Sequence, residues 1–362
     1  MFVQDDKPAI YAYHQEFNLP TGEFRCRKGI IAMVELEKFG EGKVKPHEKT
    51  LDKPKQDRFN LLKETDCHFG QIFQLYQDPE LRVNKVMEPF TQGEPLVQGT
   101  LGDGVQHKIW ACTDMDAIRD IQSALEFKDL FIADGHHRYE TACNFMDYCA
   151  ESHDFPRNSH SPRNAMMTLV SMDDPGLNIL PTHRLVHSLE NFDKNAFIEE
   201  LKKDFDHSEI KGKYLMDHLA REAKVPGLIS FGVYFGDGPI MHHFKLRRFQ
   251  SMNEYLKGSR SSDWMKLAVS ILHTLILDKV LGIDDAKLAQ QTNVRYVRDH
   301  RAGAQEVLKG NAQILIVMNP TKLEQVKKIA AGGEVMPQKS TDFYPKLLTG
   351  LVNSRVDRGE KK

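Results

Sequence analysis

The chain has 362 residues, 40% hydrophobic and 28% charged, the balance of an ordinary folded protein rather than a disordered or membrane-embedded one. A formal net charge of −2 and a pI near 6.8 give no global attraction to nucleic acid or anionic lipid, so any phosphate binding must be local. Five scattered cysteines (Cys26, Cys67, Cys112, Cys143, Cys149) without a C-x-x-C pair exclude a disulfide framework and a zinc knuckle and fit reduced thiols.

The first residues, MFVQDDKPAI, place two acids where a signal peptide needs basic and then apolar residues, and no apolar run approaches the roughly 18 residues of a membrane span. A cytoplasmic location with no membrane partner is expected. Length alone predicts two domains, expected at 1–155 and 156–350, followed by a charged, frayed tail at 351–362.

AIYAYHQEF and RKGIIAMVEL read as strands joined by a turn through Pro20, Thr21 and Gly22, hence a hairpin. A polar, proline-containing loop follows, then a helix beginning near Pro54 and carrying Phe59, Leu61 and Leu62. QIFQLY is an apolar segment, Gln77 to Gly104 is loop-rich, VQHKIWAC is a strand and MDAIRDIQSALEF a helix. DLFIAD then runs directly into GHHRYETACNFMDYC, in which Tyr139, Ala142, Phe145, Met146 and Cys149 fall on one helical face. This predicts strand, tight glycine turn, helix.

Beyond a turn-rich stretch at HDFPRNSHSPRNA come the strand AMMTLVSM, helices at KNAFIEELKKDF and KYLMDHLAREA, and strands at GLISFGVYF and IMHHFKLR. One long helix, MKLAVSILHTLILDKVLG, ends at Gly282, and AQILIVM and TKLEQVKKIAAGG supply a last strand and helix. The order is α+β, without regular βαβ alternation.

Asp134, Gly135, His136, His137 and Arg138 form the first candidate site. A glycine at a helix start leaves backbone N–H groups pointing outward beside the positive end of the macrodipole, a place suited to phosphate. Arg138 can add a bidentate charge-assisted bond, and the two histidines further donors. The alternative is an N-cap by Asp134 with surface histidines. Lys45-Pro46-His47-Glu48 is the second site: a carboxylate in a proline-stiffened loop suits a general base. A zinc-protease HExxH reading fails because Leu51 stands where the second histidine belongs. Pro181-Thr182-His183-Arg184 and Met336-Pro337-Gln338-Lys339-Ser340-Thr341 offer cations and hydroxyls, though either can be a structural turn. His242 and His243, adjacent in a strand, face opposite sides and cannot jointly hold a metal.

Together, KPHE, the strand ending in ADGHHR, and a C-terminal PTK-helix-GE followed by PQKST resemble the free serine kinases of the ParB/sulfiredoxin-like superfamily. PHEKT, QDR, ADGHHRYETA, ILPTHRL and MPQKSTDFYPKLLTGL are similar to a widespread bacterial family of longer chains containing that kinase domain, over Tyr11 to Val352. The resemblance implies a ParB/sulfiredoxin-like nucleotide domain packed against a second α+β domain, and phosphate transfer from ADP or ATP, with Mg²⁺, to a free hydroxyl amino acid such as serine. By motif, Glu48 with His47 is the catalytic element, Asp134 to Arg138 hold the nucleotide phosphates, and Lys339, Ser340 and Thr341, with Arg184, bind substrate. Where the kinases carry a basic pair after their threonines, this chain has Asp342 and Phe343. The rival reading is a non-catalytic nucleotide-binding regulatory protein of the same superfamily. Sulfiredoxin-like redox chemistry would need a cysteine between Asp134 and Arg138, and there is none.

Overall fold

The computed structural model describes residues 3–48, 50, 52–256 and 258–361; Lys49 and Leu51 of the PHEKT loop lie outside them. The chain divides into two compact units, Met1–Asn178 with Phe343–Lys362, and Ile179–Asp342.

In the first unit the main sheet is built from β1 (Ile10–Asn18), β2 (Phe24–Glu35), β3 (Val44–Lys45), β4 (Ile72–Tyr76), β5 (Val97–Thr100), β6 (Gln106–Cys112), β7 (Leu130–Asp134) and β8 (Asn164–Ser171). They form one mixed sheet in the order β3-β7-β4-β8-β2-β1-β6-β5. The β1–β2 hairpin pairs Tyr11 with Ile31 through Asn18 with Phe24, as the turn residues predict. The helices are α1 (Asp52–Thr65), α2 (Arg82–Met87), α3 (Met115–Leu125) and α4 (His136–Ala150).

Alternation along the strands decides which side chains meet the helices. Ala12, Ile30, Ile72, Met167 and Leu169 pack with Ile118 and Ile121 of α3 and Tyr139 and Ala142 of α4. Tyr13, Ile31, Ile109 and Met166 face the other way, and the returning segment Phe343–Val352 covers them with Leu347, Leu351 and Val352.

The second unit carries β9 (His183–Val186), β10 (Phe205–Lys211), β11 (Ser230–Tyr234), β12 (Ile240–Leu246), β13 (Val294–Val297) and β14 (Ile314–Val317). Among the described residues these form an antiparallel sheet ordered β10-β12-β11-β14-β9-β13. α5 (Lys194–Leu201) packs on one face through Phe197 and Leu201, and α6 (Leu215–Glu222) on the other through Leu215 and Leu219.

The α+β class holds, and several finer expectations change. The boundary expected at residue 155 lies instead between Asn178 and Ile179. AMMTLVS is apolar on both faces, so as β8 it takes an inner place in the first sheet, between β4 and β2. The tail is not frayed. Ser354–Arg355 pairs with Cys67–His68, Glu360–Lys361 pairs with His153–Asp154, and Val356 is buried beside Leu62, Phe145 and Cys149. The segment from Gln77 to Gly104 contains α2, held by buried Val83 and Met87, and the edge strand β5. The long apolar helix is interrupted: Leu267 is extended and buried between the turns Ser262–Met265 and Ala268–Ile271, and Leu272–Val280 continues in wider π turns. Gly282, at φ 64°, ends it as expected.

Candidate functional site

One topological fact brings two of the sequence motifs together. β3 pairs with β7 in parallel, Val44 opposite Leu130 and Lys45 opposite Phe131. Parallel strands leave a sheet at the same end, so Pro46-His47-Glu48 and Asp134-Gly135-His136 emerge side by side. The His47 backbone N–H donates to His136 Nε2 at 3.2 Å, and the two rings meet edge to face at 4.6 Å. A ring nitrogen that accepts carries no proton, so this contact requires neutral His136.

Burial agrees. Desolvation pushes His47 down to about 4, partly offset by its hydrogen bond to the Ile132 backbone. It holds His136 well below the ordinary histidine value, helped by the neighbouring His47, His137 and Arg138. His136 therefore fixes the KPHE loop to the glycine turn, rather than offering the cationic donor expected from sequence. His137 is half-buried, and Glu48, directly after His47, is half-buried too.

Gly135 has φ 95°, a left-handed conformation that disfavours a side chain. A Cβ there would also lie 2.7 Å from an Arg138 terminal nitrogen and 3.0 Å from its Cζ, so the guanidinium rests against the bare glycine. No side chain caps α4, whose first turn closes with the Tyr139 N–H donating to the Gly135 carbonyl at 2.9 Å. Asp134 is thus not an N-cap. Its carboxylate receives Arg138 at 3.2 Å and stands 3.7 Å from Lys346 Nζ. Arg138 Nε is buried without a hydrogen-bond partner, a donor left over at the turn.

Several residues of this region were not singled out from sequence. Arg27 is 1% exposed on β2; it donates to Gln15 Oε1 and, at 2.6 Å, to the Pro345 carbonyl, with Phe73 4.6 Å below. Burial pushes it down to about 10. Gln15 donates to the Lys346 carbonyl at 2.9 Å, and the Leu348 N–H donates to the Tyr13 hydroxyl at 3.1 Å. These bonds fix the strap that carries Lys346 toward Asp134. A signal existed: Arg27 shares strand parity with Gly29 and Ile31, so a charge falls in the inward phase of an apolar strand. Phe343 has a structural role, edge to face with Phe73 and His47.

Arg184, Lys339, Ser340 and Thr341 belong to the second unit. Arg184 is fully buried; one terminal nitrogen donates to the Lys339 carbonyl at 3.1 Å, and His273 Nε2 lies 3.2 Å from the same nitrogen. The Ser340 carbonyl accepts from Thr321 at 2.7 Å. Arg184 thus anchors the Lys339 backbone, while the Lys339 side chain is exposed. Asp342, another departure from the kinase pattern, receives Arg298 in a two-point ion pair.

The fold is of the mixed α+β class, with a glycine turn leading from a buried strand straight into a helix start. The chain belongs to the family described as "Protein of unknown function (DUF1015)", which matches residues 1–270. No curated protein matches it. Solved structures similar to it include a free serine kinase in complex with AMP, at 13% identity and TM-score 0.41, covering 86% of each chain. A conserved hypothetical protein from Pyrococcus furiosus is 12% identical, with TM-score 0.43, covering 90% of this chain and 95% of its own. C-terminally truncated SbnI from Staphylococcus aureus is 9% identical, with TM-score 0.38, covering 88% and 85% respectively.

Proposed function

We propose that the first unit is a ParB/sulfiredoxin-like nucleotide domain and that the chain is a small-molecule kinase, moving phosphate from ADP or ATP to a free hydroxyl amino acid such as serine. The observation that carries this reading is the parallel β3–β7 pairing, which sets the loop bearing Glu48 beside the glycine turn bearing Arg138. Phosphoryl transfer needs mainly positioning and charge neutralisation, and this sheet edge holds groups for both.

The acceptor oxygen forms a bond to phosphorus as the bond from phosphorus to the leaving nucleotide oxygen breaks, and the hydroxyl proton passes to Glu48. Arg138, with its spare Nε–H, and the uncapped turn of α4 neutralise phosphate charge. His47 and His136, buried and neutral, hold the base loop in place.

Mg²⁺ binds through one or two carboxylates plus phosphate oxygens, and the half-exposed Asp134 at the turn fits that donor set. Asp134 would hold the ion, which when bound adds neutralising charge on the phosphates.

Calorimetry with ADP and ATP tests the nucleotide half of this reading. Arg138→Ala is expected to weaken binding by about 1.5–3 kcal/mol, the range for a hydrogen bond to a charged group. Wild-type protein that bound neither nucleotide at millimolar concentration would remove the phosphate-turn assignment.

A further inference from the structure

The strand residues His242 and His243 do face opposite ways, and the consequence for His243 is unexpected. On one face His242 Nδ1 meets His207 Nε2 at 3.0 Å. On the other, His243 Nε2 lies 2.8 Å from Glu222 Oε2, and His218 Nε2 lies 3.4 Å from Glu222 Oε1. His218 and Glu222 are one helical turn apart on α6, so their side chains share a face.

Gly232 on β11 makes this approach possible, because a Cβ there would stand 2.4 Å from Leu215 Cδ2. The bare backbone lets α6 sit close against the sheet, with Leu215 and Leu219 buried below it, and brings its next turn over His243.

We propose that His218, Glu222 and His243 form a binding site for a divalent transition ion of the Zn²⁺ type, separate from the phosphate turn. One ligand atom from each lies within 4.8 Å of the others. Ligands at about 2.0–2.2 Å from a tetrahedral ion stand roughly 3.3–3.6 Å apart; His218 Nε2 is already 3.4 Å from Glu222 Oε1, and the 2.8 Å contact of His243 with Glu222 Oε2 would lengthen as an ion replaced the shared proton. Two imidazoles and one carboxylate suit Zn²⁺, whereas Mg²⁺ and Ca²⁺ prefer an all-oxygen set.

The surroundings orient the ligands. Ser208 Oγ lies 3.3 Å from His243 Nδ1, which leaves Nε2 as the outward donor, and the Ser230 hydroxyl donates to Glu222 Oε2 at 2.5 Å. His243 is buried and His218 is more than a third exposed, so a fourth ligand position would open on the solvent side.

The test is calorimetry of the full-length, untagged, chelator-treated protein with Zn²⁺, alongside the visible absorption of Co²⁺ added in its place. One tight equivalent of Zn²⁺, a tetrahedral Co²⁺ spectrum and no displacement by excess Mg²⁺ are expected. His218→Ala alters a partly exposed side chain and should fold normally while losing at least about a hundredfold in Zn²⁺ affinity; Glu222→Gln should lose the Co²⁺ spectrum. Absence of tight Zn²⁺ binding by the wild type would show that the three side chains form only a hydrogen-bonded cluster. Equal affinity in His218→Ala would place any bound ion elsewhere, among the cysteines or other histidines, and would equally overturn the site.

Discussion

His136 ties the KPHE loop to the glycine turn only while it is neutral, because its Nε2 must accept the His47 backbone N–H; His47 beside it is buried as well. This has a pH signature. Above about pH 6.5 both are neutral in the folded and unfolded chains and contribute no pH dependence. Below it, the unfolded chain takes up protons that the folded chain refuses, until near pH 4 for His47 and until well below the ordinary histidine value for His136. Stability therefore falls as pH drops from about 6.5 toward 4, by up to about 1.4 kcal/mol per pH unit for each histidine. Urea-denaturation midpoints between pH 7 and 4.5 measure it, and His47→Gln should flatten the slope by about one proton's worth. An unchanged slope in that variant would mean that His47 titrates normally in the fold.

The elements nearest the site were partly legible in the sequence, and the reasons differ from one to the next. DLFIAD followed by GHHRYETA gave both its secondary structure and its turn, since a buried strand, a glycine and a helical stripe are each local signals. β3 gave none, being two residues long, so the pairing that places Glu48 beside the turn emerged only in the fold. β10 was hidden by its composition: Phe205–Lys211 is mostly polar because it is an edge strand with one face in water. The C-terminal segment was misjudged by its charge, when Val356 and Arg358 are its anchors. Deleting residues 354–362 should cost at least about 2 kcal/mol, chiefly from exposing Val356 and its apolar neighbours, with a smaller share from the partly exposed Arg358–Asp66 pair. Urea denaturation of the shortened chain checks this, and a change within about 0.5 kcal/mol would restore the picture of a frayed tail.

At the scale of the whole molecule, the chain leaves its first unit at Asn178 and returns at Phe343, so that residues remote in sequence cover one face of that unit's sheet. Buried Arg27 and Gln15 depend on carbonyls of Pro345 and Lys346, and Lys346 stands beside Asp134. Composition predicts two domains but cannot reveal such a return, since nothing local in FYPKLLTGL names its partners. ADGHHR and KPHE stood out in the sequence as the two loops that the fold sets side by side; which of their side chains point outward was not legible, and His136 turned inward.

Phosphorus NMR can detect phosphoryl transfer at this sheet edge without intermediaries. The protein is incubated with ADP or ATP, Mg²⁺ and a panel of free amino acids. A phosphomonoester resonance of a hydroxyl amino acid is expected from the wild type, with turnover falling by about 10² to 10⁴, or roughly 3–5 kcal/mol of barrier, in Glu48→Gln. Nucleotide affinity should be nearly unchanged in that variant, because a base acts in the transition state. Full turnover in Glu48→Gln would remove Glu48 as the base. Tight nucleotide binding by the wild type, with no phosphorylated product from any hydroxyl compound, would contradict the kinase reading and leave a regulatory nucleotide-binding protein in its place.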